Sequence, residues 1–164
     1  VLAKGGPTVS ELLKNLSALR IRPVGNSPEE CEEAATALNR LMPSLTEDYT
    51  ALKAADVARM LSTGLTRIYL GRDESGKVQA GATLVLCCSP TGCKAWIEDV
   101  AVMPDCRRRG YGRAIIRFLI AESQRLGAKS LNLTSQPKRE AANALYRSEG
   151  FVLRETNVYR WQEK

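Results

Sequence analysis

The chain has 164 residues, 44% hydrophobic and 26% charged, with a net charge of +6. That is the size of one ordinary globular domain, long enough to bury a core without disulfide or metal staples. No apolar run approaches the ~20 residues of a membrane-spanning helix, and the first residues lack the apolar centre of a signal peptide.

The chain opens on Val1 rather than Met, which reads as a trimmed terminus or a cloning remnant. Residues 1–7 are given no part in the fold. Residues 1–18 are read as an extension carrying one short amphipathic helix over Ser10 to Leu16, and 19–164 as a single domain. Leu19 to Val24 alternates and predicts a first strand. Ser27, Pro28 and the acids that follow are a well-signalled helix start, and Pro43 marks its end. Thr46 to Thr63 predicts a second helix, stopped by Gly64. Thr66 to Arg72, the turn Asp73–Gly76 and Val78 to Cys87 predict a hairpin. Ser89 to Gly92 turns into a third strand, Cys93 to Met103. Tyr111 to Leu126 predicts a helix closed by Gly127, then a strand over Lys129 to Thr134. Arg139 to Glu149 predicts a last helix closed by Gly150. Phe151 to Glu155 and Asn157 to Gln162 predict two final strands.

The order is α/β, with a mixed, mostly antiparallel sheet of about seven strands and about four helices. Parallel pairing belongs where a helix crosses over between Val102 and Leu131.

The five cysteines are Cys31, Cys87, Cys88, Cys93 and Cys106. An odd number without regular spacing argues against a disulfide framework and for free thiols in a reducing cytosol. There is no histidine and no C-x-x-C, so no structural zinc site is expected. Without histidine, acid–base chemistry falls to Asp, Glu, Tyr, Cys, Lys or water.

The densest basic cluster is Arg107, Arg108, Arg109, Arg113 and Arg117. It brackets Gly110-Tyr111-Gly112 at the mouth of a predicted helix. Helix N-termini carry N–H groups without partners and a partial positive charge, and glycine lets an anion approach the backbone closely. The stretch is neither a Walker loop nor a dinucleotide fingerprint. Alone, it reads equally as a phosphate site or as a tight turn with solvated arginines. A nucleic-acid surface is the competing use of the cluster; only 5% of residues are aromatic and no nucleic-acid motif accompanies it.

Arg-x-x-Gly-x-Gly, as Arg107, Gly110 and Gly112, follows strand text ending in Pro104 and precedes Ala114 to Ile120. It resembles motif A of the GNAT superfamily of acetyl-coenzyme A-dependent N-acetyltransferases. Ala141 to Phe151 resembles the family's motif B, and the likeness extends over the element order from Leu19 to Trp161. The resemblance implies a GNAT fold and acetyl-coenzyme A as cosubstrate, with no metal. It implies transfer to a primary amine, by direct attack in a ternary complex. The alternatives are a non-catalytic acyl-coenzyme A binder and an acetyltransferase of protein lysines or N-termini. No nucleic-acid or membrane partner is implied, and a homodimer is allowed.

The resemblance also implies residue roles. Arg107, Arg108, Arg109, Gly110, Tyr111, Gly112 and Arg113 would bind the coenzyme pyrophosphate. The strand Ile97 to Met103 would part from Ser130 to Ser135. Its segment Asp99 to Val102 would pair with the pantetheine arm through Val100, Ala101 and Val102, with Thr134 across the gap and an N–H near Val100 at the thioester oxygen. Glu98 matches a frequent catalytic glutamate. Asp99 is the alternative base, since neighbours on a regular strand face opposite sides unless a bulge intervenes. Tyr146 would donate to the departing thiolate and also contact the cofactor. The usual motif-B asparagine is replaced by Arg139; Asn143, one turn on, is the polar substitute, and Arg139 or Lys138 would reach a phosphate. Asn157, Tyr159, Arg154 and Arg160 are candidates for the acceptor side, with a small-molecule amine preferred.

Overall fold

A computed structural model describes residues 19–163. The helix expected over Ser10 to Leu16 lies outside them. The chain forms two compact units, Val1–Thr134 and Ser135–Lys164.

The first unit is built on a five-stranded sheet in chain order, β1 (Arg20–Pro23), β2 (Thr66–Arg72), β3 (Val78–Ser89), β4 (Gly92–Val102) and β5 (Leu131–Leu133). The first three pairings are antiparallel, and β4 with β5 is parallel. Helix α1 (Pro28–Leu41) begins with the expected cap: Ser27 Oγ accepts from the Glu30 amide at 3.2 Å, and the Glu30 carboxylate accepts from the Ser27 amide at 3.3 Å. A 3₁₀ turn over Met42–Ser44 follows at Pro43.

The second predicted helix is half the expected length. Only α2 (Ala54–Leu61) is helical; residues 46–53 are a loop. Asn39, on α1, draws that loop in. Its Oδ1 accepts from Tyr49 Oη at 2.6 Å and from the Leu52 amide at 2.8 Å, and its Nδ2 donates to the Leu52 carbonyl at 2.9 Å. Lys53 is extended, and the Asp56 carboxylate accepts from its amide, which starts α2 there.

Strand alternation assigns the helices to faces. Ile68 and Leu70 join α1 and α2 in one buried cluster with Val57, Leu38 and Leu41. Tyr69, between them, points the other way. Its ring meets Phe118 edge-on at 5.2 Å, and its hydroxyl donates to Glu122 at 2.8 Å. Both partners belong to α3 (Tyr111–Arg125). Ile115, Ile116 and Leu119 of α3 are fully buried, each stabilising the fold by about 1.5–3 kcal/mol relative to exposure.

Two further expectations are corrected. Cys88 and Cys93 are not free thiols. The β3–β4 register sets them directly opposite, with Cα atoms 4.0 Å apart, and they form a disulfide; Cys31, Cys87 and Cys106 are free. The two-residue turn Pro90-Thr91 creates that pairing, which spacing alone does not reveal.

The second unit contains α4 (Glu140–Ser148) and an extended tail. The final strands expected over Phe151 to Gln162 are not formed, which leaves five strands among the described residues where about seven were expected. A strand exists only where a neighbour accepts its ladder. Here Thr156 N–H bonds locally to Arg154 O, and Val152, Leu153, Val158, Tyr159 and Trp161 stand exposed.

Asn39→Ala removes three hydrogen bonds that hold the 46–53 loop. The expected loss is about 1–3 kcal/mol, read as a lower urea midpoint with unchanged slope. An unchanged midpoint would show that the loop is held by other means.

Candidate active site

Strand β4 changes character at Ile97. Its parallel pairing with β5 covers only Ala95↔Leu131, Trp96↔Asn132 and Ile97↔Leu133. Beyond that point, among the described residues, no strand pairs the outer edge of Glu98 to Val102. On the inner edge the register with β3 slips: Thr83 faces Glu98, but Gly81 faces Ala101. Ala82 therefore opposes both Asp99 and Val100. Asp99 takes up the extra residue with φ of 54°, which makes this a β-bulge.

The bulge has two consequences. Ile68, Thr83 and Glu98 stand side by side across three strands, on the face covered by α1 and α2. A regular strand would turn Asp99 to the α3 face. Instead Asp99 lines the same pocket as Ile68 and Thr83. Both acids thus serve one face, which is the exception the bulge permits. Burial raises the Glu98 carboxyl above its usual range, and the Asp99 charge adds to the rise.

The second consequence concerns the backbone. Met103 N–H donates to Gln79 O across the inner edge. Alternation then turns Val102 toward the open edge and Ala101 toward β3. The Ala101 side chain is buried as well, so neither its side chain nor its amide reaches the open edge. Val102 does present its amide there. The bulge interrupts the alternation at Asp99 and Val100. Thr134 lies exposed just past the end of β5.

Eight residues beyond β4 comes the mouth of α3. Cys106 is buried beneath it, while Arg107, Arg108 and Arg109 are exposed. Arg108 and Gly110 both have positive φ, 61° and 82°. Alternating left-handed residues turn successive N–H groups toward one side, the geometry of an anion nest. The first intrahelical bond runs from the Ala114 amide to the Gly110 carbonyl at 2.9 Å. The amides of Tyr111 and Gly112 precede it and have no i−4 acceptor within the helix. A Cβ placed on Gly110 would meet no atom within 4 Å, so the turn is open to solvent on that side. The Tyr111 side chain is core, so only its backbone is available. A phosphate-bearing ligand fits this cradle in both shape and charge.

In the second unit, Arg139 is the N-cap residue of α4 rather than a member of it. Asn143 is committed locally: its Nδ2 donates to the carbonyls of Gln136 at 2.9 Å and Arg139 at 3.0 Å. It fastens the turn ahead of α4. Tyr146 packs edge-on against Phe151 at 6.0 Å, and partial burial raises its phenol, so it remains a protonated donor at neutral pH. Arg154, Asn157, Tyr159 and Arg160 lie in the exposed tail.

Residues 36–151 match the model of the acetyltransferase (GNAT) family. The chain belongs to that family. A GNAT relative, the ribosomal protein bS18-alanine N-acetyltransferase of Escherichia coli K12, is 41% identical over 58 residues. That stretch is 35% of this chain, and it spans only 39% of that enzyme's length. A solved protein of Agrobacterium tumefaciens C58 described as an acetyltransferase is 28% identical, with a TM-score of 0.74 over 87% of this chain and 99% of that one. An aminoglycoside acetyltransferase from an uncultured soil metagenomic sample, solved with sisomicin, is 17% identical. Its TM-score of 0.76, over 89% of this chain and 96% of its own, shows a shared fold alone.

The GNAT chain has site features that its sequence did not announce. Tyr49, Leu52 and the loop carrying them were concealed inside an apparent helix. Lys53 is no recognisable N-cap; the one available signal was Asp56, three residues on, in the capping-box position. In a carboxyl-carbon NMR titration, Glu98 should protonate at higher pH than an ordinary glutamate. Asp99→Asn removes the like charge and should lower that midpoint. An unmoved midpoint would mean that the two carboxylates do not share a face.

Proposed function

We propose that the protein transfers the acetyl group of acetyl-coenzyme A to a primary amine, with both substrates bound together. The observation that carries this reading is the open edge of β4 from Glu98 to Val102, with the glycine-opened mouth of α3 eight residues on. Among the described residues no helix is long and apolar enough to cross a membrane.

The coenzyme supplies an acyl group activated as a thioester. The chain's part begins with the cradle. The amides of Tyr111 and Gly112, at the start of the helix, suit the diphosphate. Arg107, Arg108, Arg109 and Arg113 add positive charge around it. The Val102 amide at the open edge suits the amide-bearing arm, which can supply the missing ladder acceptor. The Val100 amide, in the bulge, takes the role of donor to the thioester oxygen.

An alkylammonium has a pKa near ~10 and must lose a proton before it can attack. Glu98 takes that proton, directly or through water. Its raised pKa makes it a stronger base than a solvated carboxylate. The nitrogen–carbon bond forms and the carbon–sulfur bond breaks. The nitrogen sheds a second proton, the sulfur takes one up, and one proton is released overall. Tyr146 is assigned as the donor to that sulfur, on the strength of its place in motif B.

Gly110→Ala forces a side chain onto a φ that side chains rarely adopt and so distorts the turn that aims the cradle's amides. Acetyl-coenzyme A affinity should fall at least tenfold by isothermal titration. Unchanged affinity would place the diphosphate elsewhere. Tyr146→Phe should lower kcat by roughly 10²-fold or more while the coenzyme Kd stays within about twofold. Equal losses in both, or none, would remove the acid role.

A further inference from the structure

The bulge that turns Asp99 onto the α1–α2 face also places it on the wall of a pocket of about 200 Å³. The rest of that wall is mainly apolar, with Leu38 and Met42 on one side and Leu45, Leu52 and Met60 on others. Among the described residues, Asp99 is the one charged residue that lines it. We propose that this pocket is the acceptor subsite, and that it selects a free primary amine carrying one compact apolar group, with the ammonium held at Asp99. The proposal rests on the acyl-transfer reading and names its substrate class.

Size limits the apolar group. A dry cavity of about 150 Å³ holds a benzene ring, so this one suits a ring or branched chain of about six to eight carbons. Charge limits the rest of the molecule. A single carboxylate lines the pocket, with Glu98 beside it on the same face, so one ammonium is matched. A second ammonium deeper in would shed its hydration against leucine and methionine without a counter-charge. A carboxylate or phosphate on the acceptor would meet Asp99 and Glu98 as like charges.

The polar groups in the wall add no second ionic site. The Tyr49 hydroxyl is committed as a donor to Asn39, which leaves it only an acceptor position. Burial raises the Tyr49 phenol first, and the Asp99 charge contributes, which is consistent with the two facing one space. Thr46 and Thr83 are neutral. The Asn39 bonds hold Leu52 and Tyr49 in place, so the specificity wall is the same loop that replaces the expected helix.

The geometry also links the pocket to the reaction. Asp99 lines the pocket, and Val102, three residues on, presents its amide at the open edge. An amine seated at Asp99 is therefore next to the strand segment assigned to the acyl donor.

The test uses the full chain, acetyl-coenzyme A and a thiol-release assay. The acceptors are 2-phenylethylamine, 3-methylbutylamine, spermidine, kanamycin, glucosamine 6-phosphate, leucine and a short peptide beginning with leucine. Coenzyme binding is measured separately by calorimetry. The first two amines should exceed every other acceptor at least tenfold in kcat/KM. Leu52→Trp, which fills the pocket from a partly exposed position, should raise KM for 2-phenylethylamine at least tenfold, with the coenzyme Kd within twofold of the parent. Met60→Ala should shift preference toward a larger amine such as 1-naphthylmethylamine.

Coenzyme binding with a preference for polycationic, anionic or peptide acceptors would overturn the proposal and leave acyl transfer standing. Coenzyme binding with none of these acceptors consumed would also overturn it. No coenzyme binding at millimolar concentration would overturn the acyl-transfer reading, and this proposal with it.

Discussion

The structure turns on one extra residue in β4. Asp99 has no partner of its own on β3, and the strand absorbs it as a bulge with a left-handed backbone. A single inserted residue reverses which side chains and which amides face each way along the rest of the strand. Before the bulge, β4 is an ordinary inner strand, tied to both neighbours. After it, the outer edge has lost β5. One local defect, beside an edge that β5 has already left, thus yields two acids on one face and a wall for a pocket.

The rest of the first unit supports that segment from both sides. On one face, α3 is pinned by Tyr69, which carries an aromatic contact to Phe118 and a hydrogen bond to Glu122. The mouth of α3 is positioned by the same packing, because Tyr111 and Cys106 are buried while the arginines between them are exposed. On the other face, Asn39 holds the loop of Tyr49 and Leu52 against α1. The positive charge collects at the helix mouth and the negative charge at the bulge.

Membership of the GNAT family accounts for the fold and for the class of chemistry, not for the acceptor. One sequence relative is named as a ribosomal protein bS18-alanine N-acetyltransferase, and a protein of the same fold is named as an aminoglycoside acetyltransferase. A shared fold does not by itself set the acceptor.

Much of the frame could be read along the chain because its causes are local. Ser27 and Pro28 start a helix wherever they stand; Gly127 and Gly150 follow the ends of two others; the Asp73–Gly76 turn reverses a strand. The arginines and glycines before Tyr111 marked the cradle, since a helix mouth is built from consecutive residues. What tertiary structure alone decided are relations between distant residues. The bulge depends on how β4 registers against β3. The loop at Tyr49 exists because Asn39, at least ten residues earlier, offers its carbonyl and amide more than a further helical turn would. The Cys88–Cys93 disulfide follows from hairpin register, not from spacing. The tail from Phe151 shows the converse: it alternates like a strand, yet alternation records only a capacity to pair, and a strand forms only where a neighbouring edge takes up its hydrogen bonds.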